Sequence, residues 1–71
     1  MEDKKLTNTL KVQRTIKSLT QEQLAEFVGV TRKTINTVEN GVYIPSTYLA
    51  LKLSKVLEVP VEELFQLNEQ G

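Results

Sequence analysis

The stretch LTQEQLAEFVG, which ends at Gly29, limits the fold more than any other part of the chain. Thr20 and Gln23 have the spacing of a capping box, in which each side chain bonds the other residue's backbone N–H. Gly29 can take the positive φ at which helices commonly end. The stretch therefore predicts a short helix between Thr20 and Gly29. Its apolar face, at helical spacing, consists of Leu24, Ala25 and Val28.

A second short helix follows almost at once. Thr31 can cap it, and we predict that it runs over 31–40. Because only about three residues join the two helices, the helices must cross steeply, and the small side chain of Ala25 permits close contact. Ile35 and Val38 are expected to pack inward against the preceding helix. The pattern predicts a helix-turn-helix.

The opposite face of the second helix carries polar side chains that suit the major groove of DNA, which is about 12 Å wide. Arginine and lysine donate to guanine, asparagine can pair with adenine, and the threonine methyl can touch a thymine methyl. The predicted base contacts are Arg32, Lys33, Asn36 and Thr37. Side chains near helix ends are predicted to contact the DNA backbone and hold the register. These are Thr20, Gln21, Thr31, Thr34, Asn40 and Tyr43.

A polar helical face by itself is more often simply solvated. The prediction of DNA binding therefore depends on the combination of capping box, small crossing residue, turn glycine and buried positions in one window of about twenty residues.

Three further helices are expected. Residues 7–17 predict a first helix. Its incomplete apolar stripe consists of Leu6, Leu10 and Ile16. Ser46 can cap a fourth helix, YLALKLSKVL, and Pro60 can open a short fifth, VEELF. The chain then leaves the helical pattern in a tail, 67–71. Residues that fit either a helix end or a short strand are Leu64, Gln66 and Leu67.

Composition narrows the function classes. The 71 residues predict one domain, 1–71, with the helix-turn-helix at about 20–40. Cysteine and histidine are absent, which removes thiolate chemistry, the usual near-neutral acid-base group and the commonest metal ligands. We therefore expect no catalytic site, no metal and no cofactor. No apolar run is long enough to span a membrane, and the N-terminus lacks a signal-peptide core. We expect a cytoplasmic protein without membrane contact.

The charge balance is unusual for a nucleic-acid-binding protein. Nine basic and nine acidic residues give a net charge of zero, whereas such proteins are usually basic. The distribution is uneven, because acidic residues are concentrated in the last quarter of the chain. The first half contains, among its basic residues, Lys11, Arg14, Lys17, Arg32 and Lys33. One end of the molecule can therefore be locally basic.

Residues 8–66 resemble the Cro/C1-type helix-turn-helix regulators, also called the xenobiotic-response-element (XRE) family. The stretch LTQEQLAEFVGVTRKTINTVENG resembles the core motif of the family, and YIPSTYLALKLSKVLEVPVEELF resembles its fourth and fifth helices. The resemblance implies an all-α, five-helix, lambda-repressor-like fold, to which some short members add a small sheet between the terminal segments. It implies a sequence-specific transcriptional regulator, a repressor, that binds an inverted-repeat operator in double-stranded DNA as a homodimer.

The resemblance also implies roles for single positions. The base-reading positions of the family correspond to Arg32, Lys33, Asn36 and Thr37. Gln21 matches a glutamine that contacts phosphate and supports the recognition helix, and Asn40 matches a backbone contact. Arg14 and Glu39 match a pair that forms a buried, structural salt bridge.

This sequence departs from the family at several positions. Val42 and Ile44 stand where relatives often have lysine and asparagine. Together with Tyr48 they are expected either to join the dimer interface or to pack in the core. Ser18 and Glu58 occupy positions where glycine is frequent, so they need a less favourable backbone conformation. The apolar loop and the zero net charge keep a second function open, that of an antitoxin or another protein-interaction module of the same fold with a protein partner.

Overall fold

The computed structural model describes residues 5–68. Within this range five helices stand between two short strands. The elements in chain order are β1 (Lys5–Asn8), α1 (Leu10–Ile16), α2 (Gln21–Val28), α3 (Arg32–Glu39), α4 (Thr47–Leu57), α5 (Val61–Leu64) and β2 (Phe65–Asn68). None of these helices is long and apolar enough to cross a membrane. The expected five-helix fold is confirmed, together with the small terminal sheet.

The two strands pair antiparallel and bring the ends of the described chain together. Leu6 lies opposite Leu67, and Asn8 lies opposite Phe65. The first helix was predicted from residue 7, but residues 7 and 8 belong to β1 and α1 begins at Leu10. The reason is a strand-to-helix transition: the Asn8 side-chain oxygen accepts the Leu10 N–H at 3.0 Å, which ends the strand.

The C-terminal boundaries also differ from the prediction. Phe65, predicted as the end of the fifth helix, opens β2, and Leu64 is the last helical residue. The predicted tail began at residue 67, but Leu67 lies within the strand. Pairing with β1 supplies the backbone hydrogen bonds that an isolated four-residue segment could not make alone. The rest of the predicted tail, 69–71, lies outside the described residues.

One continuous core joins the helices. Its buried members are Leu10, Leu24, Ala25, Val28, Ile35, Val38, Leu49, Leu53, Leu57, Leu64 and Phe65. The predicted apolar faces of α2 and α3 are therefore confirmed. The predicted stripe of α1 is wrong at Ile16, which is 66% exposed, whereas Leu6 packs against the core from β1. The core holds α3 by one side only and leaves its other side at the surface.

Two positions adopt the less favourable backbone conformation that the sequence predicted. Ser18 has φ 58° and Glu58 has φ 60°, both in the left-handed region. Glu58 ends α4 there, and its side chain accepts a hydrogen bond from Lys17 Nζ at 2.7 Å. Each residue therefore carries a conformational strain that glycine would avoid.

Core packing of the apolar loop is excluded. Val42 is 77% exposed, Ile44 67% and Tyr48 70%. The loop that carries Val42 is held from its backbone instead, because the N–H groups of Val42 and Tyr43 both donate to the Thr37 carbonyl, at 2.9 and 3.1 Å. The apolar side chains therefore remain at the surface of the single chain.

Candidate nucleic-acid interface

Hydrogen bonds hold both the start of α2 and the turn between α2 and α3. Thr20 Oγ1 accepts the Gln23 N–H at 3.0 Å, and Gln23 Oε1 accepts the Thr20 N–H at 2.9 Å, which completes the predicted capping box. Gly29 has φ 80° and donates its N–H to the Ala25 carbonyl at 2.8 Å. Ala25, the small residue expected at the helix crossing, is 2% exposed. Local hydrogen bonds therefore fix the start of α2 at Thr20 and the turn that begins at Gly29.

The two sides of α3 differ in chemistry. Ile35 and Val38 are fully buried on one side. The opposite side exposes Arg32, Lys33 and Asn36, while Thr37 is half-buried at its edge. The structure thus brings the four predicted base contacts onto one helix, in two pairs one turn apart. This spacing matches neighbouring positions on a helix surface.

A nearly buried ion pair lies beneath this surface. Arg14 Nε is 2.6 Å from Glu39 Oε2, and Arg14 Nη2 donates to Glu39 Oε1 at 3.3 Å. Arg14 Nη1 also donates to the Leu19 carbonyl at 2.8 Å. The side chains of Arg14 and Glu39 are only 12% and 3% exposed. The pair implied by the family resemblance therefore joins α1 to the C-terminal end of α3.

Gln21 connects the ion pair to the exposed face of α3. Its Nε2 donates to Glu39 Oε1 at 3.0 Å and to Asn36 Oδ1 at 3.2 Å. Its Oε1 accepts from Arg32 Nη1 at 3.3 Å. Gln21 was predicted as a contact to the DNA backbone. In the structure this half-buried side chain holds two of the predicted base contacts in place.

The other predicted backbone contacts lie at the ends of the helices. Thr20 and Thr31 are exposed at the N-termini of α2 and α3, where backbone N–H groups favour phosphate. Each hydroxyl also caps its own helix, and the Thr34 hydroxyl lies 3.1 Å from that of Thr31. Asn40 ends α3 and donates from Nδ2 to Asn36 Oδ1 at 3.2 Å. These residues flank the exposed face of α3.

An open groove of about 340 Å³ runs between α3 and the following loop. It is lined by Lys33, Thr34, Thr37, Val42 and Tyr43. Thr37 Oγ1 donates to the Thr34 carbonyl at 2.9 Å, so its hydroxyl is bonded within α3. Because Tyr43, 47% exposed, lines the same groove as Lys33 and Thr37, it lies beside two of the predicted base contacts.

Asn8 is a positioning residue that the sequence prediction missed. Its Nδ2 donates to the Val38 carbonyl at 2.9 Å, so β1 holds the last turn of α3. An asparagine two residues before a helix is a known turn signal, but residue 8 was predicted to be helical. Recognition of that signal would have moved the start of α1 to its observed place.

Comparisons with known proteins agree with this geometry. A family model described as Helix-turn-helix matches residues 10–64. The HTH-type transcriptional regulator YgzD of Bacillus subtilis is 42% identical over 66 residues, which cover 93% of this chain and all of YgzD. An HTH-type transcriptional regulator of Methanocaldococcus jannaschii is 45% identical over 60 residues, covering 84% of this chain and 91% of that protein.

Among solved structures, the restriction-modification controller protein C.AhdI of Aeromonas hydrophila superposes with a TM-score of 0.73 at 39% identity. The match covers 79% of this chain and 85% of the controller protein. The fold contains the helix-turn-helix formed by α2 and α3, and the family match spans residues 10–64. The chain therefore belongs to the Cro/C1-type helix-turn-helix family and is a transcriptional regulator with a helix-turn-helix DNA-binding domain.

Proposed function

We propose that this regulator is a repressor that binds an inverted-repeat operator as a homodimer, with α3 in the major groove. One observation carries the proposal: α3 exposes Arg32, Lys33 and Asn36 on one side, while Ile35 and Val38 fix its other side in the core. A rigidly held helix with hydrogen-bond donors on its free face has the geometry and chemistry that base-edge recognition needs.

The zero net charge is compatible with this role because the charges are unevenly placed. Arg32 and Lys33 stand at the start of α3, where no acidic residue occupies the first turn. Glu39, the acidic residue of α3, is paired with Arg14. Phosphates near the start of α3 would therefore meet basic side chains and helix N–H groups.

Repression needs no activity beyond tight operator binding. A dimer whose recognition helices lie about one helical turn apart covers two half-sites and excludes other proteins from the same DNA. The proposed role requires no catalytic activity and no cofactor. A regulator of this kind acts where the chromosome lies, which in the bacteria and archaea of its relatives is the cytoplasm.

We place the dimer contact on the apolar surface formed by Ile44, Tyr48 and Leu51. These side chains are 67%, 70% and 57% exposed, and Tyr48 and Leu51 share one face of α4 at helical spacing. Ile44 also lines an open groove of about 550 Å³ with Leu6. Val42 is left out of this surface, because it lines the other groove, beside Lys33.

The spacing of the half-sites sets a geometric requirement for such a pairing. Its longest extent is 36 Å, and half-sites one turn apart are separated by about 34–36 Å. Two copies would place their α3 helices in successive major grooves if each α3 lay about 17–18 Å from the dimer axis, half of that spacing.

The first test is selection from a random double-stranded DNA pool, followed by titration of the enriched sequence at two salt concentrations. We expect an enriched inverted repeat whose affinity falls steeply with salt, because phosphate contacts release counterions. No enrichment, with weak binding at low salt only, would contradict the proposed function.

The second test compares Ile44→Glu with Ile16→Glu by sedimentation equilibrium. The two isoleucines have nearly equal exposure, 67% and 66%, so general surface effects are matched. We expect dimers at micromolar concentration for the wild type and for Ile16→Glu, and monomers for Ile44→Glu. Dimers in both variants would exclude the proposed contact surface.

A protein-interaction role, as in antitoxins, is the second candidate. The exposed Ile44 and Tyr48 favour it, since apolar surface of this kind marks protein contacts. The two tests separate the roles. A protein that is monomeric and selects no DNA sequence would support a different protein as the partner of this surface.

A further inference from the structure

The side-chain amides of Gln21, Asn36 and Asn40 form a connected set of hydrogen bonds next to Glu39, in which the donor and the acceptor of each bond are determined. Glu39 accepts from Gln21 Nε2 at 3.0 Å. The same nitrogen donates to Asn36 Oδ1 at 3.2 Å, and Asn40 Nδ2 donates to that oxygen at 3.2 Å as well. Asn36 thus receives two hydrogen bonds from its own protein.

These donor and acceptor roles follow from the ion pair. Glu39 is 3% exposed and held by Arg14, so its carboxylate can only accept. The Gln21 amide must therefore turn its nitrogen toward Glu39. The atom of Asn36 that lies 3.2 Å from this nitrogen must then be the oxygen. A charge below the surface decides which end of an exposed amide is engaged.

The consequence lies at the exposed face. With its oxygen engaged by Gln21 and Asn40, Asn36 has its Nδ2 amide left for DNA. Arginine and lysine can only donate, so Arg32 and Lys33 add further donors. Gln21 Oε1, the nearby acceptor, is already bonded to Arg32. The predicted base contacts of α3 other than Thr37 therefore act as donors alone.

We infer that Asn36 donates to guanine in the operator, and that Gln21 and Glu39 are the positioning residues that set this preference. Guanine presents two acceptors, N7 and O6, in the major groove. Adenine presents an acceptor and a donor, and its pairing with asparagine requires the side-chain oxygen. In this protein that oxygen is engaged, so the adenine pairing expected from the residue type alone is disfavoured. The inference rests on the proposed function.

The test uses the full chain and the operator obtained by selection. Asn36→Ala identifies the base position that depends on this side chain, because preference there is relaxed. Asn36→Asp then replaces the outward amide by an acceptor of the same shape, while its other oxygen still accepts from Gln21 and Asn40. Preferences are compared among the four bases at this one position, because the added negative charge weakens binding to all of them alike.

We expect the wild type to select guanine at this position. Asn36→Asp should lower the preference for guanine over the other bases by about tenfold or more, within the range of a good base contact. Replacing this guanine with 7-deazaguanine should weaken binding by the wild type and leave binding by Asn36→Ala unchanged.

The outcomes distinguish this inference from the proposed function. An enriched operator with adenine at the position that Asn36→Ala relaxes would overturn the inference and leave the regulator role intact. If Asn36→Ala relaxed no position of the operator, Asn36 would contact no base. That result would also overturn the inference and leave the regulator role intact. Failure to enrich any DNA sequence would overturn both.

Discussion

Removal of Arg14 should destabilise the fold severely, because it leaves a buried charge without its partner. Arg14→Met deletes the 2.6 Å contact to Glu39, a second bond of 3.3 Å and the 2.8 Å bond to the Leu19 carbonyl. Glu39, 3% exposed, would retain the single amide donor of Gln21. Breaking one partner of such a pair costs about 3–5 kcal/mol.

The magnitude is large against the total stability. Domains have about 0.05–0.15 kcal/mol of unfolding free energy per residue, which for 71 residues gives about 4–11 kcal/mol. Arg14→Met should therefore lower the melting temperature by about 12 °C or more. Urea denaturation followed by circular dichroism measures the free energy directly.

A double-mutant cycle tests the reason for the loss. Arg14→Met combined with Glu39→Met replaces the ion pair by apolar side chains of similar length, which is often nearly neutral. The double variant should recover most of the loss, with a coupling energy of about 2 kcal/mol or more. A loss below about 1 kcal/mol for Arg14→Met, or simple additivity of the two variants, would refute the argument from a buried unpaired charge.

The exposed ion pair of Lys17 and Glu58 supplies the matched control. Its side chains are 39% and 75% exposed, so Lys17→Met should leave the denaturation curve unchanged. The hydrogen bond and charge of Lys17 lower the pKa of Glu58. Any stability that this pair contributes is thus present at neutral pH and is lost as the pH falls through the folded-state pKa. High salt should remove it as well.

Three further variants test the site and the backbone. Arg32→Ala should cost about 1–3 kcal/mol in operator affinity and relax one base position, whereas Lys55→Ala on α4 should leave base preference unchanged; quantitative binding to single-base operator variants measures both. Ser18→Gly should raise stability by about 0.5–1 kcal/mol, as relief of left-handed strain exceeds the added entropy of the unfolded chain; an unchanged melting temperature would argue against strain at φ 58°. Gly29→Ala should lower stability by about 1–2 kcal/mol through its φ of +80° alone, since no atom lies within 4 Å of the new Cβ; a much larger loss in urea denaturation would show that the turn cannot accommodate the methyl group.

Local patterns in the sequence were sufficient to predict α2 and α3. The capping box at Thr20, the stop at Gly29 and the buried spacing of Ile35 and Val38 all act within a few residues. Helix caps and 3.6-residue periodicity are short-range features. The helix-turn-helix and the residues on the free face of α3 could therefore be predicted from the sequence alone.

From the sequence, the small sheet could be predicted only as an alternative to a helix end. Leu6 and Leu67 pair across almost the whole chain, and neither segment contains a pattern that distinguishes a strand from a frayed helix end. Strand pairing is decided by the partner that the folded helices bring alongside. The start of α1 was misplaced for the same reason, since Asn8 belongs to the strand and holds α3 through the Val38 carbonyl.

The tertiary structure alone decided which atoms of the exposed side chains on α3 are engaged within the protein. The sequence specifies that Gln21, Asn36 and Glu39 are present, and each amide can in principle donate or accept. Only the crossing of α1, α2 and α3 brings Gln21 to 3.0 Å from the Glu39 carboxylate. Hydrogen bonds depend on the distance and direction between groups that are far apart along the chain. Residue types on a helix face follow from periodicity, but their donor and acceptor roles follow from what the neighbouring helices place beside them.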